Sequence, residues 1–279
     1  MARPEPRRIV FLNEKGGSGK TTTTANVAAH LALRRGRRVL AIDLDPQGQL
    51  AKVLGVEVGT KTSGAIDLLL DSVLDDGSLD RPSSARGLLP KLATRIPGLD
   101  LVPGSKALGL ATTLESDDDP TGRLAEALDR LPGVSDYDFV LVDAPPSFGP
   151  LTLNALRAVS EVVVPVPLTW LALDGCVELL KTVESVRRTY DHPSLRISMV
   201  IATFYRRTRM AHELLDLLKA RFPKQLAATV IGTHVKIDEA QARGLSILEY
   251  APNDRAGRAY AAIAEELEAR APETLEPRP

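Results

Sequence analysis

Ten residues set the terms for the rest of this chain. Asn13–Thr22 reads N-E-K-G-G-S-G-K-T-T. It stands between an apolar run, Arg8–Asn13 (RIVFLN), and a helical stretch from Lys20 to Arg35 that Gly36 ends. A strand, a glycine-rich turn and a helix in that order are the setting a phosphate-binding loop requires. Gly16, Gly17 and Gly19 let backbone N–H groups turn inward around phosphate oxygens, with Ser18 and Thr22 completing the loop, and the helix N-terminus adds the positive end of its dipole. In such a loop Lys20 reaches the β- and γ-phosphates of a nucleotide, and the Thr21 hydroxyl binds Mg²⁺. The strict G-x-x-x-x-G-K-[ST] pattern fails, because Glu14 stands where its first glycine belongs. A second lysine, Lys15, lies five residues before Lys20.

The remaining chain alternates apolar runs with helical periods. Arg38–Asp43, Leu99–Val102, Asp138–Asp143, Glu161–Val166, Arg196–Ala202 and Ala228–Ile231 read as further strands. Leu179, Val183, Val186 and Tyr190 share one helix face; so do Met210, Leu214, Leu217 and Leu218, and Tyr260, Ile263, Ala264 and Leu267. Continuous apolar strands alternating with helices predict an α/β fold: a doubly wound, mostly parallel sheet covered on both faces. The expected arrangement is one domain over residues 1–270 with a frayed tail at 271–279. Glu57–Pro97 is the least legible stretch, with a short helix near Ala65–Leu70 and a polar, mobile segment at Asp71–Arg86.

Two strand ends carry carboxylates. Arg38–Asp43 runs into D-L-D-P-Q-G (Asp43–Gly48), and Phe139–Asp143 into A-P-P-S. Aspartates at the carboxyl edge of a parallel sheet lie beside a nucleotide crevice. One of Asp43, Asp45 and Asp143 can hold Mg²⁺, and another can orient an attacking water. The single cysteine, Cys176, excludes an intrachain disulfide and a Cys-rich zinc or iron–sulfur site, which fits a reducing cytoplasm; it reads as a buried small apolar residue. No run of ~18 apolar residues predicts a membrane span.

Three segments together, Lys15–Asn26 (KGGSGKTTTTAN), Asp43–Gln49 (DLDPQGQ) and Tyr137–Leu156 (YDFVLVDAPPSFGPLTLNAL), resemble the ParA-type partition ATPases of the deviant-Walker MinD/ParA family. The resemblance extends over residues 7–268, with weaker matches at Val230–Ala240 and Gly244–Asp254. It implies ATP and Mg²⁺ as cofactors and an ATP-state homodimer. Lys15 matches a signature lysine that crosses the dimer interface to the partner's ATP, and Lys20 and Thr21 match the phosphate and Mg²⁺ residues. Asp45 matches the residue that positions the hydrolytic water, and Asp43 and Asp143 the carboxylates near Mg²⁺. Two departures stand out: Glu14 where relatives carry Gln, and Gly232, Thr233 and His234 where they read P-R-N. That loop helps hold adenine in relatives, and His234 reads as an uncommitted loop histidine.

With 35 Lys and Arg against 36 Asp and Glu, the net charge is −1, so DNA binding needs a local patch. Arg206, Arg207 and Arg209 form a tight cluster that Lys236, Arg243, Arg255 and Arg258 can join. The resemblance implies sequence-independent DNA binding there, nucleoid association in the cytoplasm, and a centromere-binding or adaptor protein that stimulates hydrolysis. Arg34, Arg35, Arg37 and Arg38 close a helix, where cations favour the dipole. Only about eight residues precede the first strand, as in partition ATPases without an operator-binding domain. Two alternatives remain open: a MinD-like membrane-associated positioning ATPase, and a nucleotide-switched binding module with little turnover. The membrane alternative needs a basic amphipathic C-terminal helix, whereas Glu265, Glu266 and Glu268 occupy the last helix, so no membrane partner is expected.

Overall fold

The computed structural model describes residues 5–70, 88–111 and 119–270. The strands are β1 Arg7–Phe11, β2 Val39–Asp43, β3 Leu92–Ala93, β4 Leu99–Val102, β5 Phe139–Asp143, β6 Glu161–Pro167 and β7 Arg196–Thr203. They form one sheet in the order β3-β4-β2-β5-β1-β6-β7, parallel except where β3 meets β4. The helices are α1 Lys20–Arg35, α2 Gln49–Val53, α3 Ala65–Leu70, α4 Leu108–Ala111, α5 Arg123–Arg130, α6 Pro150–Arg157, α7 Trp170–Thr189, α8 Arg209–Arg221, α9 Val235–Ala242, α10 Ile247–Tyr250 and α11 Arg255–Ala269.

The period of two along each strand divides the core in two. Ile9 and Phe11 of β1 with Val39 and Ala41 of β2 face a layer built on Ala28 and Leu31 of α1 and Tyr260, Ile263, Ala264 and Leu267 of α11. Val10, Leu40, Ile42, Val140 and Val142 face the opposite way, toward Leu124 of α5, Leu156 of α6, Leu179, Val183 and Val186 of α7 and Leu218 of α8. Both faces are covered, which is why these strands are apolar throughout rather than alternating. After β1 the chain moves to β2 on one side; after β5 it crosses to β6 on the other. The carboxyl end of β1 therefore sits where the winding of the sheet reverses, the crevice in which open α/β sheets bind ligands.

Three expectations need correction. Ala228–Ile231 is no strand: it runs beside β7, with Ala227 N–H donating to Val200 O at 2.8 Å and Ile231 N–H to Ala202 O at 2.8 Å. The ladder breaks between them, because Ala228 N–H donates to the Glu266 carboxylate instead of to β7; Arg270 binds the carbonyls of Gln225 and Leu226 just before the segment. The seventh strand is instead the two-residue β3, inside the stretch whose sequence pattern is least legible. On α8, Leu214 and Leu218 are buried, but Met210 and Leu217 are about half exposed, so the expected stripe is narrower. The segment Asp71–Arg86 and the tail 271–279 lie outside the described residues.

Candidate nucleotide site

The loop after β1 is fixed from its neighbours. Asn13 donates to the Pro165 carbonyl of β6 at 2.7 Å and accepts from Lys15 N–H at 2.9 Å, which turns the chain at the strand end. Thr203, the last residue of β7, donates to the Ser18 carbonyl at 3.1 Å. Gly17 and Gly19 have φ of 70° and 90°, values that a side chain would strain. Gly19 is the N-cap of α1 and supplies no side-chain cap; no acidic residue sits in the first turn. The leading N–H groups of α1 are thus left for an anion.

Lys20 is buried, and its ammonium group lies 3.5 Å from the Lys15 carbonyl. Burial lowers its pKa, opposed by the charges of Asp143 and Asp45. Lys15 points the other way: it is exposed and donates to the Thr169 hydroxyl at 3.1 Å. The loop therefore holds one cation inward and presents the other outward.

Parallel register places Asp43 of β2 directly beside Asp143 of β5. Burial and the neighbouring Asp143 charge raise the Asp43 carboxyl well above the usual range. Burial pushes Asp143 up to about 7, against the pull of the Thr21 hydroxyl and Lys20. The two aspartates differ in what they hold. Asp43 accepts Asp45 N–H and Leu50 N–H, each at 3.0 Å, and so shapes the loop after β2. Asp143 Oδ2 is buried without a hydrogen-bond partner, and so is Ser18 Oγ. An unpaired buried carboxylate oxygen beside Thr21 and Lys20 fits a divalent cation. Among the described residues no group of three or more His, Cys, Asp or Glu could hold a metal alone. Mg²⁺ takes one or two carboxylates and the remaining ligands from phosphate and water.

Asp45, half-buried, lies on the turn after β2. A Cβ on Gly104, just after β4, would meet Asp45 O at 2.6 Å and Asp43 O at 2.9 Å; one on Gly48 would meet Gly104 O at 2.8 Å. Two glycines thus allow the β4 loop to buttress the turn that carries Asp45. Sequence reasoning missed Gly104, Asn13 and Thr203. A Pro-Gly pair after a strand signals only a turn, and an Asn or Thr at a strand end signals nothing about the loop it will meet.

Residues 6–197 match the family model described as an AAA domain. Over 274 residues the chain is 41% identical to the chromosome-partitioning ATPase Soj of Thermus thermophilus, covering 98% of this chain and 100% of that relative. The chain belongs to the ParA/Soj family of chromosome-partitioning ATPases. The sporulation initiation inhibitor protein Soj of Bacillus subtilis is 33% identical over 94% of this chain and 98% of its own length. A solved structure of cobyrinic acid a,c-diamide synthase from Mycobacterium smegmatis, with bound ADP and magnesium, matches with a TM-score of 0.73. It is 30% identical, and the match covers 94% of each chain.

The basic residues singled out on this ParA/Soj chain divide into free and engaged. Arg206 and Arg207 are exposed and form no ion pair among the described residues; Arg209, equally exposed, pairs with Glu213 at 2.9 Å. Tyr205 N–H donates to Ile231 O at 3.0 Å, which sets this loop against the segment leading to α9 and Lys236. Lys236 pairs with Asp254 at 3.2 Å, and Arg243 lies over the Tyr250 ring at 5.1 Å. Arg255 opens α11 and is exposed, while Arg258 donates to Asn253 O. The cluster closing α1 is structural: Arg35 and Arg37 both bind Glu268 of α11, at 2.5 and 2.6 Å. Cys176 is buried, and burial pushes its thiol up to about 12. His234 folds back over Gly232, where a Cβ would meet its Nε2 at 2.9 Å.

Proposed function

We propose that this ParA/Soj chain is an ATPase that dimerises with ATP, binds DNA without sequence preference in that state, and segregates or positions a cargo. Turnover would be stimulated by a centromere-binding or adaptor protein. The observation that carries the reading is the division of the two loop lysines, Lys20 buried beside Asp143 and Lys15 exposed at the rim.

The chain's own residues have separate tasks. The glycine loop and the first turn of α1 bind the phosphate chain, and Lys20 offsets its charge. Thr21 and Asp143 would hold Mg²⁺, which offsets charge on the phosphate oxygens when bound. Asp45 is set to orient the attacking water. Lys15, exposed and bound only to the Thr169 hydroxyl, would meet phosphate charge on a second copy, as an arginine finger does. A twofold arrangement then gives each protomer a share in the other's site. Two copies also bring two sets of Arg206 and Arg207 to one stretch of DNA, a gain through effective concentration. The proposed place of action is the nucleoid in the cytoplasm. The membrane alternative is disfavoured, because the apolar face of α11 is spent on the core and Glu266 and Glu268 are engaged by Arg270, Arg35 and Arg37. No helix among the described residues is long and apolar enough to cross a membrane.

The test is light scattering and phosphate release with ATP, ADP and no nucleotide. Lys15→Ala should bind ATP yet stay monomeric and inactive, whereas Lys20→Ala should lose nucleotide binding itself. A Lys15→Ala protein that dimerises and turns over normally would remove the shared-site reading. Negligible wild-type turnover with DNA and partner present would favour the switched binding module.

A further inference from the structure

Thr22 and Thr24 stand on the same helix and make different use of their hydroxyls. Thr24 donates to the Lys20 carbonyl at 3.0 Å, the usual internal outlet for a helical threonine. For Thr22 the corresponding carbonyl is Ser18, which already accepts from Thr203. The Thr22 oxygen instead accepts a hydrogen bond from Gln241 Nε2 of α9, at 2.7 Å, across 219 positions of sequence. A hydroxyl has one proton to give and two lone pairs to receive. With Gln241 occupying the acceptor side, the proton is left for an acceptor outside the helix. Thr22 lies in the uncapped first turn of α1, where an anion would sit.

Gln241 is held firmly enough to do this. Just beyond it, Gly244 and Gly55 approach so closely that a Cβ on either would meet the other's backbone at 2.6 Å, and both have positive φ. Ile247 N–H donates to Asn26 Oδ1 at 2.8 Å, and Asn26 Nδ2 donates to the Thr22 carbonyl at 2.8 Å. The α9–α10 turn is therefore fastened to the same face of α1 at two points one helical turn apart.

We propose that Gln241 is a positioning residue of the nucleotide site: its amide donates to Thr22 and so directs the Thr22 hydroxyl proton at a phosphate oxygen of the bound nucleotide. The inference rests on the nucleotide reading above. An amide suits this task better than a carboxylate of the same shape. Glutamate would accept the Thr22 proton itself and would place a negative charge beside the phosphates.

The experiment is equilibrium binding of a fluorescent ADP with Mg²⁺ to the full chain, with unliganded melting temperatures recorded alongside. Gln241→Met keeps the length and removes the donor, and should weaken ADP roughly three- to tenfold, the range for one neutral hydrogen bond. Gln241→Glu should weaken it further. In a double-mutant cycle, Gln241→Met should add no further loss to Thr22→Ala, because the hydroxyl it orients is gone. Affinity in Gln241→Met equal to wild type, or an equal loss with and without the Thr22 hydroxyl, would overturn the proposal and leave the nucleotide reading intact. Should the Met variant melt early, the isosteric Glu variant decides: its loss should shrink, down to the part due to its charge, in the Thr22→Ala background, and an undiminished loss would overturn the proposal. A wild-type protein that binds no ADP would overturn the nucleotide reading instead.

Discussion

Gly104→Ala places a methyl group against the turn that carries Asp45, and its consequence follows from three interatomic distances. The added Cβ would stand 2.6 Å from Asp45 O, 2.9 Å from Asp43 O and 3.0 Å from Asp43 Cγ. Asp43 has little freedom, as a strand residue whose carboxylate is bound by two N–H groups, and Asp45 O is held by Gly48 N–H at 2.9 Å. Restoring an ordinary separation of 3.4 Å requires about 0.8 Å of displacement at Asp45. Overpacking of this kind costs about 1–3 kcal/mol of stability, or roughly 2–5 °C in Tm for a chain of this size. The phosphate loop lies on a different strand and is untouched, so ATP affinity should stay within about twofold of wild type. Turnover should fall on the order of a hundredfold, because a displacement near 1 Å at a water-orienting group is felt at that level. The assay is phosphate release beside ATP binding, with Asp45→Ala as the reference for complete loss of orientation. Wild-type turnover in Gly104→Ala would show that Asp45 tolerates the shift and does not orient the water; lost ATP affinity would show that the turn belongs to the phosphate site.

Two further outcomes are expected. Arg207→Glu should weaken ATP-dependent DNA binding on every sequence and lower the log–log salt slope by about 0.9 for each DNA phosphate that the variant leaves unneutralised; Arg209→Glu, already paired with Glu213 in the wild type, should matter less, and the reverse order would displace the interface from Arg206 and Arg207. His30 is buried with no hydrogen bond to either ring nitrogen; burial lowers its pKa below 6.5, against the pull of the Glu265 carboxylate 3.6 Å from Nε2, so the unfolded chain takes up the proton first on acidification. Stability supplied by neutral His30 is present above pH 6.5 and lost below it. His30→Leu should therefore flatten the fall in denaturant midpoint between pH 7.5 and 5, and an unchanged slope would assign that fall to other groups.

Local chemistry was legible wherever the residues that define an element are neighbours in sequence. The helix Lys20–Arg35 follows from a glycine before it, a glycine after it and apolar residues between, and the structure keeps those bounds. The aspartates at 43 and 143 are visible as strand ends, and the parallel register alone makes them adjacent. What escaped depends on partners remote in sequence. Ala228–Ile231 has strand composition, yet Glu266, 38 residues on, takes the Ala228 N–H, and Arg270 binds the Leu226 carbonyl just before it. Met210 and Leu217 have the period of a buried stripe, but both stay about half exposed, Leu217 lining an open groove with Trp170 and Val177 of α7.

The same division runs through the site. Phosphate chemistry demands particular residue types within one turn of chain, so Gly17, Gly19, Lys20 and Thr21 announce themselves. Position demands only that some atom arrive from elsewhere at the right distance. Asn13 and Thr203 pin the loop by single hydrogen bonds, and Gly104 contributes the lack of a side chain. Asp43 shows how far the two can separate within one residue. Its type and its strand-end place suggest a metal ligand, yet each of its oxygens also accepts a backbone N–H, from Asp45 and from Leu50, whereas Asp143 Oδ2 accepts none. What a carboxylate at a sheet edge already holds is therefore set by how many backbone donors the following turn aims at it, and that number is set by the fold.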